Sequence, residues 1–142
     1  MDGLSLRAIT RRFGLRIAVN AVNLDVKRGQ VLCLLGPSGC GKSTTLRIAA
    51  GLERPDSGQV FIGGRLVEGD GVHEPPEMRR IGLMFQDYAL FPHLTVKQNV
   101  AFGLAKLPRR ERDARANDEL SRVGMSTFKN AYPHTLSGGE QQ

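Results

Sequence analysis

No apolar run in this 142-residue chain approaches the roughly 18 residues that a membrane-spanning helix needs. The first residues, Met1-Asp2-Gly3, carry neither a basic segment nor an apolar stretch behind them, so no secretory leader is expected. Cysteine occurs only twice. Cys33 falls in an apolar run expected to form a buried strand, and Cys40 falls in a glycine-rich loop. Neither points to a disulfide framework, and a reducing compartment follows only by default. His73, His93 and His134 are scattered without the spacing of metal ligands and read as structural or surface residues. There is no internal repeat and no low-complexity segment.

Charge of one sign is in excess, at +6, yet it is not concentrated. The stretch Arg109-Arg110-Glu111-Arg112-Asp113-Ala114-Arg115 mixes both signs, as a solvated helix face does. No nucleic-acid partner is expected from it. The length and the 40% hydrophobic content suit one globular domain or part of one.

What the chain does contain is Gly36-Pro37-Ser38-Gly39-Cys40-Gly41-Lys42-Ser43, which fits the phosphate-cradling pattern G-x-x-x-x-G-K-[ST]. The apolar run Val31-Leu32-Cys33-Leu34-Leu35 before it reads as a strand buried on both faces. Good helix formers follow from Lys42 to Ala50, and Gly51 stands where a C-terminal cap belongs. The glycines let the backbone turn tightly and present N–H groups. The loop then meets the positive end of a helix, where an anion is favoured. In this pattern Lys42 neutralises β- and γ-phosphate charge, the Ser43 hydroxyl ligates Mg²⁺ and Thr44 bonds the α-phosphate.

Three further features accompany the loop. Phe13 precedes Gly14 upstream. A second apolar run, Ile81-Gly82-Leu83-Met84-Phe85, leads to Gln86 and on through Asp87-Tyr88-Ala89-Leu90-Phe91-Pro92-His93-Leu94-Thr95-Val96. Leu136-Ser137-Gly138-Gly139-Glu140 comes last, with the S-x-x-E spacing of a capping box, so Ser137 should open a helix. From residues alone, Phe13 is either a base-stacking face or a core aromatic. Gln86 is a polar amide at a strand end, where open α/β sheets bind ligands.

This ordered set closely resembles the ATP-binding subunit of ABC transporters of the importer type, over nearly the whole chain. The resemblance implies an α/β P-loop NTPase core with a flanking antiparallel β subdomain and a helical subdomain. It implies ATP and Mg²⁺ as cofactors. Phe13 matches the aromatic that stacks on adenine, and Gln86 the glutamine that touches Mg²⁺ and the attacking water. Gly36, Pro37, Ser38, Gly39, Cys40, Gly41, Lys42, Ser43 and Thr44 match the nucleotide-binding loop. Ser137, Gly138 and Gly139 match the signature motif, which binds nucleotide held by the opposite subunit. The implied partners are a second copy of the subunit, transmembrane permease subunits docking at Asp87–Leu94, and indirectly a periplasmic binding protein. The implied location is peripheral, on the cytoplasmic face of the inner membrane. Glu68 to Pro92 looks most like ferric-iron importers, although polyamine, sulfate and maltose importers share most of it.

The organisation expected is an antiparallel β subdomain at 3–30 and 57–70, a P-loop core at 31–51 and 81–86, and a helical subdomain at 92–142. Thr95-Val96-Lys97-Gln98 is a capping-box start, and Pro108 and Gly124 bracket a further helix. In the resembling family the signature is followed by a strand carrying the Mg²⁺-binding Asp and the catalytic Glu, then a switch His. None of these falls within the 142 residues. A partial domain, C-terminally truncated and without hydrolysis of its own, is therefore expected. A nucleotide-binding fragment with no transport role is the alternative.

Overall fold

The computed structural model describes residues 3–142. The chain divides into two compact units, residues 1–83 and 84–142.

The first unit is built on a five-stranded antiparallel sheet in the order β2-β1-β3-β4-β5. Its strands are β1 (Leu4–Phe13), β2 (Arg16–Val26), β3 (Ser57–Ile62), β4 (Arg65–Gly69) and β5 (Val72–His73). Along β1 the apolar residues alternate until residue 8, where the register shifts. Ala8 and Ala21 both take positive φ at these irregularities, 48° and 46°. Their freed N–H groups are not orphaned: Ala8 donates to Asn23 Oδ1 at 2.9 Å and Ala21 to Thr10 Oγ1 at 3.0 Å. Short polar side chains thus complete the hydrogen bonding that a bulge removes from the ladder.

Helix α1 (Lys42–Ala50) covers one face of this sheet. Its buried residues Thr45, Ile48 and Ala49 recur at the i, i+3, i+4 spacing of one helical face. Ile48 and Ala49 join Leu6, Ile9, Val19, Val60 and Val67 in a single core cluster. Each large aliphatic side chain buried there contributes about 1.5–3 kcal/mol. Gly51 caps the helix in the left-handed conformation, as expected from its position. A short helix, α2 (Pro76–Arg79), follows β5.

The second unit holds α3 (Val96–Ala101), α4 (Arg109–Arg122) and the short α5 (Gly138–Gln141), with 3₁₀ turns between them. Thr95 caps α3 through a complete capping box, and Pro108 and Gly124 bracket α4. Val96, Leu120 and Leu136 form its core, with Met125, Phe128 and Ala131 packed alongside. The N–H groups of Val96 and Lys97 donate to the carbonyls of Ala131 and Lys129 at 2.9 and 3.0 Å, tying the start of α3 to the 128–131 segment.

Two expected strands do not form. Val31–Leu35 and Ile81–Phe85 run without regular structure. Val31 and Leu35 are 88% and 92% exposed, and Cys33, expected inside, is exposed as well. A parallel strand exists only when a neighbour accepts and donates along its ladder. Among the described residues neither run has such a neighbour.

Candidate functional site

The glycine-rich loop lies between residue 35 and α1, so it meets the helix N-terminus directly. Gly41 is the N-cap, at φ 95°. A Cβ built there would fall 2.1 Å from the carbonyl oxygen of Ala18 on β2. Only glycine allows the loop to lie this close to the sheet. Inside the loop, the Lys42 ammonium donates to the carbonyls of Gly36 at 2.7 Å and Pro37 at 2.8 Å, and it approaches Cys40 Sγ at 3.5 Å. Lys42 therefore points back over the loop rather than away from it. Ser43 is exposed in the first turn of α1, and Thr44 beside it is half-buried.

The β1–β2 hairpin brings Phe13 to the same place. Phe13 pairs with Arg16 across the turn Gly14-Leu15. Arg16 Nη2 donates to the carbonyl of Gly39 at 2.9 Å. The hairpin tip is thus fastened to the loop itself. Phe13 is not a core aromatic: it is 48% exposed. The Arg11 guanidinium lies over its ring, 4.8 Å from the centroid. Arg11 is in turn bonded to Asp56 at 2.7 Å and Glu53 at 2.6 Å. The hydrogen bond to Asp56 is the main reason the Arg11 pKa is raised. Asp56 also accepts from the Arg12 N–H at 2.6 Å, which more than any other contact holds its carboxyl below its ordinary value.

Gln86, Ser137, Gly138 and Gly139 belong to the second unit. Gln86 sits exposed in a turn, not at the end of a buried strand, because the run before it is unpaired. Ser137 caps α5 through a full capping box with Glu140. The Ser137 N–H donates to Glu140 Oε2 at 2.7 Å, the leading cause of a lowered Glu140 pKa. In the 87–94 segment, Tyr88 is half-buried and Phe91 is 38% exposed. The Phe91 ring packs against Phe102, with centroids 4.3 Å apart. No group of three or more His, Cys, Asp or Glu able to hold a metal occurs among the described residues. Nor is any described helix long and apolar enough to cross a membrane.

Residues 19–142 match the protein family described as ABC transporter. The chain belongs to that family. It is 49% identical to the spermidine/putrescine import ATP-binding protein PotA of Nitrosospira multiformis, over 98% of this chain and 38% of that protein. It is 46% identical to the trehalose/maltose import ATP-binding protein MalK of Thermococcus litoralis, over 100% of this chain and 39% of that protein. With the Fe(3+) ions import ATP-binding protein FbpC of Escherichia coli it shares 44%, over 98% and 39%. The chain thus spans under two fifths of these curated relatives. Among solved structures, the ATP-binding cassette MJ0796, as a post-hydrolysis dimer bound to ADP and Pi, superposes with a TM-score of 0.83. The identity there is 35%, and the match covers 97% of this chain and 65% of that one. The ABC cassette fold expected from the motifs is therefore the fold found.

Sequence reasoning did not single out Arg11, Arg16, Glu53 or Asp56 as parts of the site. One signal was present. Arg11 and Phe13 stand two apart on a strand, and residues i and i+2 share a face.

Proposed function

We propose that the first unit binds ATP, as part of the ATP-binding subunit of an ABC importer. The observation that carries this is the fastening of Phe13's hairpin to the phosphate loop through Arg16 and Gly39. An exposed aromatic face and a cationic, glycine-built loop at a helix N-terminus together suit a base and a polyphosphate. Lys42 supplies the charge inside the loop, where phosphate oxygens would replace its two carbonyl acceptors. The loop backbone from Gly36 to Gly41 cradles the phosphates, with Ser43 and Thr44 at the helix start. The residues suit Mg²⁺ only as an ion that arrives with the nucleotide: Ser43 offers one exposed hydroxyl, and Mg²⁺ is commonly held by substrate phosphates rather than an all-protein cage. Bound that way, Mg²⁺ would neutralise phosphate charge.

Hydrolysis belongs, in this reading, to the complete subunit. No Asp or Glu among the 142 residues stands in the sequence context of a general base for water, so this chain alone is proposed to bind without measurable turnover. Ser137, Gly138 and Gly139 would contact nucleotide on a second copy, in keeping with the dimeric state named for the MJ0796 cassette. Permease subunits would dock at Asp87–Leu94, where Phe91 is exposed, and a periplasmic binding protein would act through them. That assembly places the chain peripherally at the cytoplasmic face of the inner membrane. Ferric iron is the cargo suggested by residues 68–92. Relatives named for polyamine, sugar, iron and sulfate import lie within 44–49% identity, so that cargo is one proposal among four.

Isothermal calorimetry with Mg-ATP tests the central claim. The wild-type chain should bind, and Lys42→Ala should not. Equal affinity in both, or no binding by wild type, would sink it.

A further inference from the structure

In the first unit, the hairpin tip is held from two sides by two arginines. On one side Arg16 reaches the phosphate loop at Gly39. On the other, Arg11 lies across the Phe13 ring while Glu53 and Asp56 grip its two outer nitrogens. The remaining guanidinium nitrogen, Nε, is buried with no hydrogen-bond partner. Arg11 is therefore placed by its outer nitrogens and by the ring, not by a web of contacts around the whole group. Glu53 is itself anchored to the end of α1, its N–H donating to the Arg47 carbonyl at 3.3 Å. Asp56 is anchored to β1, its N–H donating to the Thr10 carbonyl at 2.8 Å. A path of direct contacts thus runs from the C-terminal end of the phosphate-loop helix to one face of Phe13.

We propose that Arg11 is a positioning residue for nucleobase binding: held by Glu53 and Asp56, it covers one face of Phe13, fixes the ring's orientation and leaves the opposite face for the base. This rests on the ATP-binding reading above and goes beyond it by assigning the support of the base platform. A phenyl ring on an exposed hairpin end otherwise turns among rotamers, and a base that stacks on it must first order it. A guanidinium planted on one face removes that freedom in advance and is itself attracted to the ring by its quadrupole. The hydrogen-bond, ion-pair and ring partners of Arg11 are Asp56, Glu53 and Phe13, and Lys42 and the loop, which hold the phosphates, are not among them. Arg11 therefore acts on the base and not on the phosphates.

The experiment compares two ligands, Mg-ATP and inorganic tripolyphosphate, on the same chain by calorimetry. Stacking on an aromatic side chain is worth roughly fivefold to a hundredfold in affinity. Phe13→Ala should lose that much for ATP and change tripolyphosphate binding less than about twofold. Arg11→Met should follow the same pattern with a smaller loss, about fivefold for ATP. Glu53→Gln, which loosens the guanidinium without touching the ring, should fall in the same direction. Parallel loss of both ligands in Arg11→Met and Glu53→Gln would show a merely structural role and overturn the proposal. So would unchanged ATP affinity in both variants. Failure of the wild-type chain to bind ATP would instead overturn the function proposed for the site.

Discussion

The guanidinium of Arg79 donates to the carbonyl of Ile48 at 2.9 Å, 31 residues away, and so caps the C-terminal end of α1 from outside. The same group also reaches the carbonyls of Ala49 at 3.3 Å and Glu74 at 2.7 Å. It is almost wholly buried, and its charge is met by the buried carboxylate of Glu68. His73 shares that carboxylate, with Nδ1 2.8 Å from Oε2. The last carbonyls of a helix lack intrahelical partners, and here Arg79 adds a donor to that of Ile48, which the Gly51 N–H also meets at 3.1 Å, and supplies one to that of Ala49.

Arg79→Met should therefore be severe. It strands Glu68 as a buried charge and removes the side-chain donor to the Ile48 and Ala49 carbonyls, a change that typically costs about 3–5 kcal/mol. Urea unfolding should show the loss. Pairing it with Glu68→Leu should recover part, because removing both members of a buried ion pair is milder than removing one. A single mutant as stable as wild type would contradict the capping role.

Gly41→Ala and Gly14→Ala separate strain from crowding. Both glycines have positive φ, at 95° and 59°. A Cβ at Gly14 meets nothing within 4 Å, whereas at Gly41 it strikes the Ala18 carbonyl. Gly14→Ala should lose about 1–2 kcal/mol from backbone strain alone. Gly41→Ala should lose more and should also abolish ATP binding. Thermal melts and calorimetry together check both, and equal effects would refute the distinction.

Acid should weaken the hairpin anchor. The Asp56 carboxyl is held below its ordinary value, mainly by the Arg12 N–H. A carboxylate with a depressed folded pKa stabilises fully above its unfolded value, about 3.9, and the contribution is lost as pH falls through the folded value. Stability should thus decline below about pH 4. In Asp56→Asn this part of the decline should vanish. Melting temperatures measured from pH 2 to 6 on both chains would test it, and parallel profiles would count against it.

The 87–94 segment is tied down by one amide. Asn99 Oδ1 accepts from the Phe91 N–H at 2.9 Å, and Asn99 Nδ2 donates to the carbonyls of Phe91, Leu94 and Thr95, each at 3.1 Å. Asn99→Ala should cost about 1 kcal/mol by removing the acceptor of the Phe91 N–H and the side-chain donor to the Leu94 carbonyl. It should also raise amide hydrogen exchange at Phe91. If Phe91 exchange is unchanged, the clamp is not what orders this segment.

The exposed run Val31–Leu35 predicts self-association of this chain. An apolar stretch with unpaired backbone groups is a template for another copy. Light scattering should rise with concentration, and Val31→Lys with Leu35→Lys should suppress it. A wild-type chain that stays monomeric at high concentration would disprove this.

Local chemistry was legible in the residue order because it depends on near neighbours. The loop at 36–43, the capping boxes at Thr95 and Ser137, the Gly51 cap and the bracketing of α4 each need only a few adjacent residues. Pairing was not legible. Val31–Leu35 has the composition of a buried strand, yet composition cannot supply the neighbour whose ladder makes a strand. The supports of the site were equally hidden. Arg11 finds Asp56, Arg16 finds Gly39 and Arg79 finds Ile48 across 23 to 45 residues. A long cation on a surface strand and one under a helix end look alike in sequence. Only the tertiary structure decides which meets a carboxylate, which a carbonyl and which a ring, because those partners come together by chain folding and not by spacing.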